Sequence, residues 1–313
     1  MVTTTGYQTP TKATARLFRT SPSLDSVTHV SSVRIVTDSA CDLPAEVAEQ
    51  HGIEIVPLSI RFGDEEFVDR EQLDVAEFWR RSVNSETLPE TAAPAPGQFE
   101  AVYRQLVAEG ATGIVVVSLS GALSATIQSA ELAARSFVND DSVDVDIRIV
   151  DSRTVTLGIG TIALACARAA ADGASVDEVE AQAHDLAGRT RVWGALDTLD
   201  NLKKGGRIGN AKALLATALS IKPIIEVADG VVEQGGKQRT RSKALKFLVD
   251  KVKSFDGRIE NLAVLHADCS DVDEFVEMIT PHYDGEIVVG EIGPVIGTHG
   301  GRGTIGVAFH EIA

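Results

Sequence analysis

Four hydroxyls, Ser118, Ser120, Ser124 and Thr126, crowd one turn of the stretch GIVVVSLSGALSATIQSAELAA. Ile127, Ala130, Leu132, Ala133 and Ala134 follow with helical spacing, which puts Ser124 at a helix start. The first N–H groups of a helix lack internal partners and carry the positive end of its dipole, so a carboxylate or phosphate is favoured there. Ordinary capping uses the same hydroxyl, since serine is common at helix starts, and both readings stand at this stage. A second cluster is cationic: Lys203, Lys204 and Arg207 flank Gly205 and Gly206 in LKKGGRIGNAK. These cations either meet an anion beside a flexible turn or complement the negative end of a helix. His299 lies in the glycine-rich IGPVIGTHGGRG, read as a loop whose backbone can approach a ligand closely. Its imidazole can donate to a carboxylate, and a solvated loop histidine fits the same letters.

Several better-known chemistries are excluded. GRGTIG matches GxGxxG in letters, but a dinucleotide fingerprint opens a helix and leads to another strand, whereas TIGVAF is itself strand-like. LKKGGRIGNAK has no glycine before a Lys-Ser or Lys-Thr pair, so it is not a nucleotide-binding P-loop. His266 and Asp268 stand two apart without a third ligand, and no HExxH occurs, so neither a metal nor any other cofactor is expected. Cys41, Cys166 and Cys269 are widely spaced and form no CxxC, which suits a reducing cytoplasm.

These groups must be held by strands and helices. Ile114 to Val117 form a β-branched apolar run, as in a parallel strand covered on both faces. Strands are expected at Val33 to Val36, Ile53 to Phe62 and Val145 to Val150, alternating with helices at Leu73 to Val83, Gln98 to Glu109 and Ile159 to Ala171. Pro89, Pro94 and Pro96 make SETLPETAAPAPGQF a rigid loop. Beyond residue 188 five strands, three helices and a hairpin at Asp229-Gly230 indicate a mixed sheet. The expected fold class is α/β: an N-terminal three-layer α/β/α domain with a mostly parallel sheet over residues 33–188, and a C-terminal two-layer α/β domain with a mixed sheet over 189–313. Residues 1–32, rich in serine and threonine without an apolar core, read as a disordered extension. Lys plus Arg number 29 and Asp plus Glu 45, a formal charge of −16, which gives no general attraction for nucleic acid or anionic membrane. No apolar run approaches the roughly 20 residues that span a bilayer, so no stable membrane insertion is expected.

IVTDSACDLP, TAAPAPGQF, LSATIQSA, VDSRTVTLGIG, LDNLKKGGRIG, IKPII and IGPVIGTHGGRGTIGVAF occur in that order. In this respect the chain resembles the DegV family, bacterial fatty-acid-binding proteins that serve as acyl-carrier subunits of fatty acid kinase. The resemblance implies a long-chain fatty acid with its carboxylate near the domain junction, held by Thr91, by Ser124 with the neighbouring Ala125 N–H, and by His299. It implies a lipid carrier without catalytic residues, working with a separate ATP-dependent kinase subunit. On that reading Arg207, Lys203 and Lys204 suit the partner or the transferred phosphate. Ala92 and Ala93 stand where the family carries serine and glutamine, and Ala125 where glycine is usual, so the support around the hydroxyls is thinner. The alternative is a self-contained phosphotransferase or hydrolase using Ser124 with His299, against which stands the lack of any evident carboxylate to orient the histidine.

Overall fold

The computed structural model describes residues 32–85, 87–138 and 144–312. The extension expected over residues 1–32 lies, but for its last residue, outside them. In the first half the order is β1 (Val33–Asp38), α1 (Ala45–Gln50), β2 (Ile53–Val56), β3 (Ser59–Phe62), β4 (Glu65–Val68), α2 (Val75–Asn84), β5 (Glu90–Ala92), α3 (Pro96–Ala108), β6 (Gly113–Ser118), α4 (Thr126–Val138), β7 (Asp146–Asp151), α5 (Leu157–Ala171) and α6 (Val176–Arg189). A four-stranded sheet in the order β2-β1-β6-β7 is parallel throughout. β6 is buried along its whole length because it is covered twice. Ile114 and Val116 pack with Phe99, Tyr103 and Phe137 of α3 and α4, while Val115 and Val117 join the core formed with α5 and α6. The expected three layers are present.

Two sequence expectations change here. Ile53 to Phe62 is two strands, because Pro57 cannot donate to a ladder and the chain leaves the parallel sheet at Val56. β3 instead forms a small antiparallel sheet in the order β4-β3-β5. The proline-rich loop therefore contains a strand: Glu90–Ala92 pairs with β3 at the sheet edge, between Pro89 and Pro94, with Thr91 opposite Ile60. Pro96 opens α3, where its missing N–H is no loss.

The second half comprises β8 (Thr190–Ala195), α7 (Asp200–Lys204), a 3-10 stretch over Gly209–Ser220, β9 (Lys222–Ala228), β10 (Val231–Gln238), α8 (Arg241–Lys253), β11 (Ile259–His266), α9 (Val272–Ile279), β12 (Val288–Glu291), α10 (Pro294–Gly300) and β13 (Ile305–Glu311). Its sheet runs β10-β9-β8-β13-β11-β12, antiparallel except for the β11–β12 pair. Asp229 and Gly230 both take positive φ and close the β9–β10 hairpin. Besides α8 and α9, which cover one face, there are two short helices, α7 and α10, one more than the three expected. Along β8, Trp193 and Ala195 face α8, whereas Val192 turns to the other face and joins the core of the first half. There α5, rich in glycine and alanine, is packed between the two sheets and touches β1, β6, β8, β11 and β13. A Cβ on Gly158 would lie 2.9 Å from a Val192 methyl, and one on Gly160 2.8 Å from the Cys41 carbonyl oxygen. Only glycine at these two positions lets the layers close this far.

Candidate ligand-binding site

Where the carboxyl ends of β6 and β7 face the inner side of the second sheet, a cavity opens with an empty volume of about 830 Å³, solvent-open part included. This is the place where open parallel sheets bind ligands. Its walls are apolar: Leu119, Leu123 and Val155 from the loops after the parallel strands, Leu196 and Ile225 from the second sheet, and Val295 from α10. Thr91, Ser124, Arg207 and His299 are the polar groups at one end, with the buried Thr156 and Thr304 in the wall. An apolar cavity with a few converging polar groups is the usual form of a small-molecule site.

Of the four hydroxyls in the turn after β6, Ser124 lines the cavity and the other three are spent on structure. Ser118 Oγ donates to Asp38 Oδ2 at 3.1 Å, and Ser120 Oγ donates to the Gly230 carbonyl at 2.7 Å. Thr126 is buried, with its Oγ1 2.8 Å from Ser124 Oγ. Ser124 Oγ also accepts from the Thr126 N–H at 3.3 Å, so the residue holds the first N–H of α4 and lines the cavity at once. Asp38 and Asp151 hold the turn: Asp38 Oδ2 accepts from Leu119 N–H at 2.8 Å, and Asp151 Oδ1 from Gly121 N–H at 3.2 Å. Burial pushes the Asp38 carboxyl up to about 6, and its hydrogen bonds from Leu119, Ser118 and Ala40 oppose the shift. Ala125 is exposed, does not line the cavity and is free of positive φ, so alanine is unstrained there.

His299 stands on the last turn of α10, a helix and not the loop expected from its glycines. The glycines serve packing. A Cβ on Gly297 would lie 2.8 Å from the Phe78 and Trp79 rings, which press α2 onto α10. His299 Nε2 is 3.2 Å from Thr91 Oγ1, joining α10 to the edge strand β5. Its Nδ1 is buried without a hydrogen-bond partner and faces Gly205, where a Cβ would approach to 2.4 Å. Burial, and then the Arg207 charge, hold the imidazole down to about 4, so it is neutral at pH 7. No carboxylate among the described residues hydrogen-bonds this ring.

Arg207 is exposed and tied to backbone, its Nε donating to the Leu123 carbonyl at 3.1 Å and an Nη to the Gly205 carbonyl at 2.8 Å. It lines both the cavity and an outer polar cleft that shares Thr91 and His299 and adds Glu90, Asn201 and Lys204. Lys203 and Lys204 form the last turn of α7, which Gly205 caps; Lys203 lines neither space. Thus Thr91, Ser124, His299 and Arg207 come together, Lys204 lies just outside, and Ala125 and Lys203 stand apart. Among the described residues no three His, Cys, Asp or Glu side chains gather as a metal-ligand set. Asp38 and Asp151 carry no legible role in the sequence, although they lie in the quoted motifs IVTDSACDLP and VDSRTVTLGIG, and Gly205 read there only as part of a flexible turn between cations.

Together the fold and the cavity define an α/β protein in which two sheets enclose an apolar chamber with a polar mouth. The chain belongs to the DegV family: residues 32–311 match the family model described as "Uncharacterised protein, DegV family". A DegV domain-containing protein of Streptomyces coelicolor is 35% identical over 88% of this chain and 97% of its own length. Among solved structures, a DegV family protein from Thermus thermophilus described for fatty acid binding superposes with a TM-score of 0.81 at 31% identity, covering 90% of this chain and 99% of its own. A stearic-acid-binding protein from Eubacterium ventriosum gives 0.79 at 28% identity, covering 89% and 98%.

Proposed function

We propose that this chain binds a long-chain fatty acid, with its carboxylate among Thr91, Ser124 and His299 and its acyl chain in the apolar cavity, and presents it to a separate ATP-dependent kinase that forms the acyl phosphate. The observation that carries the reading is the pairing of Thr91 and a neutral His299 at the mouth of a cavity whose walls are otherwise almost wholly apolar. A carboxylate leaving water must be hydrogen-bonded, and hydroxyls and a neutral imidazole donate without burying a cation. Each buried methylene contributes about 0.8 kcal/mol, so the tail supplies affinity and the head supplies orientation. The related proteins described as fatty acid binding support the ligand class. Arg207 and Lys204 of the outer cleft, with Lys203 next along α7, are the face offered to the kinase and to the phosphoryl group. The protein acts in the cytoplasm as a carrier, with no catalysis of its own. A self-contained hydrolase is disfavoured because Nε2 of His299 meets Thr91 instead of Ser124 and Nδ1 has no orienting acid.

Ser124→Ala and Thr91→Val each remove a donor to a charged acceptor and are expected to weaken fatty acid binding by roughly 1.5–3 kcal/mol. Equilibrium titration with a radiolabelled fatty acid reads this directly, and wild-type affinity in both variants contradicts the head-group assignment.

A further inference from the structure

The last acid of IVTDSACDLP takes no part in the site described above. Asp42 is only 3% exposed and occupies left-handed backbone, φ 50° and ψ 22°. Two glycines near the far end of the chain leave room for it. A Cβ on Gly293 would lie 2.9 Å from Asp42 Oδ1, and one on Gly290 would lie 2.8 Å from the Asp42 carbonyl oxygen. Within this cradle Asp42 Oδ1 accepts the Gly293 N–H at 2.9 Å. Gly293 is the N-cap of α10, and it has no side chain with which to cap the helix itself. A carboxylate reaching in from β1's loop therefore satisfies an N–H that the helix leaves unmade, at the positive end of its dipole. Six residues further along the same helix, at a rise of about 1.5 Å per residue, stands His299.

We propose that Asp42 is a positioning residue for the head-group site: by anchoring the start of α10 it sets where the helix presents His299 Nε2 to Thr91 and to the ligand. Other contacts share in that setting: just ahead of the helix the Ile292 N–H donates to the His266 carbonyl at 2.6 Å. α10 is a seven-residue helix held laterally by Phe78 and Trp79 against Gly297 and by Asn201 Nδ2 donating to the Thr298 carbonyl. Among these contacts, the bond from the Gly293 N–H to Asp42 is the one a side chain makes at the N-cap of the helix. Asp42 does not line the cavity; it meets the site through α10 and beside Thr156 of the cavity wall, whose hydroxyl opposes the burial that pushes the Asp42 carboxyl up to about 7. Asp42 also borders a separate cleft lined by Asp69, Arg70, Asp74, Glu46, His266 and Glu291. There Arg70 supplies the cation and donates to the Leu43 carbonyl at 2.9 Å.

The inference uses fatty acid affinity and so rests in part on the proposed function, but its primary readout does not. Imidazole ¹H–¹⁵N correlation spectra of the ligand-free full chain, with the His299 signals assigned by loss in His299→Gln, report the ring's surroundings without any fatty acid. Asp42→Ala is expected to shift the His299 signals and to weaken oleate binding by about tenfold or more, while Asp42→Asn, which keeps an acceptor oxygen for Gly293, stays within about twofold of wild type. Gly293→Ala, which drives a Cβ into Oδ1, should reproduce the spectral shift and stands in if Asp42→Ala does not fold. Unmoved His299 signals in a folded Asp42→Ala or Gly293→Ala chain overturn the proposal, as does an Asp42→Asn variant no better than Asp42→Ala. Failure of the wild-type chain to bind oleate, with the spectral shift present, overturns the fatty acid reading and leaves the positioning role standing.

Discussion

His299 shows how one residue's surroundings decide its chemistry. Removed from water and placed near Arg207, it stays neutral through the physiological range. Its folded pKa of about 4 lies below the ordinary histidine value, so the protonated form appears only as pH falls toward 4. Fatty acid affinity is therefore expected to be flat between about pH 6 and 8, because the donor does not titrate there. Binding measured across that interval checks this, and a steep fall as pH rises would mean that a cationic imidazole holds the carboxylate. Legibility at this scale was uneven. Ser124 and His299 could be singled out from residue type and setting, hydroxyls at a helix start and an imidazole among glycines. Thr91 entered only through family resemblance, since a three-residue edge strand between prolines has no periodicity to read. Asp38 and Asp151 act on the Ser124 turn across separations of 81 and 30 residues, distances at which local pattern carries no information.

At the scale of elements, the site is assembled from short pieces: β5 brings Thr91, the start of α4 brings Ser124, the end of α7 brings Gly205, and α10 brings His299. The long elements were legible because their burial leaves a pattern, as in β6 with its unbroken β-branched run. The short ones are stabilised by tertiary contact, so α10 read as a glycine loop and β5 as a proline loop. Gly205 ties two of these pieces together. Its φ of −73° suits any residue, but a Cβ there would come 2.4 Å from His299 Nδ1. Gly205→Ala is thus expected to displace the imidazole and lower fatty acid affinity by about tenfold while leaving the unfolding temperature close to wild type. A drop in stability with affinity intact would show that Gly205 serves the end of α7 alone.

Across the whole molecule, the two halves share one core through α5, yet each keeps its own sheet. We propose the division between residues 33–188 and 189–313, which falls at the last turn of α6, as the line between two lobes, with the ligand enclosed where they meet. Fold class was legible from alternation alone, strands and helices by turns in the first half and a hairpin in the second. The sandwiching of α5 was not, because its small residues read only as a buried helix. The protein is strongly acidic, with a formal charge of −16, and against that background Lys204 and Arg207 line the outer cleft proposed above as the contact face. Arg207 is held to backbone carbonyls, which leaves part of its guanidinium fork for a phosphate or a partner acid. Arg207→Ala is expected to keep fatty acid occupancy near wild type and to slow phosphoryl transfer by an added kinase. Ligand content and transfer rate measured on the same sample separate the outcomes: loss of both places Arg207 in the pocket, and unchanged transfer leaves it as a tether between loops.

Native mass spectrometry of the full chain purified from a bacterial host tests most directly whether this cavity holds a fatty acid. The expected result is a bound species whose excess mass, released on denaturation, is that of a single long-chain fatty acid per chain. A chain that carries no such mass, and takes none up when incubated with excess oleate, contradicts it.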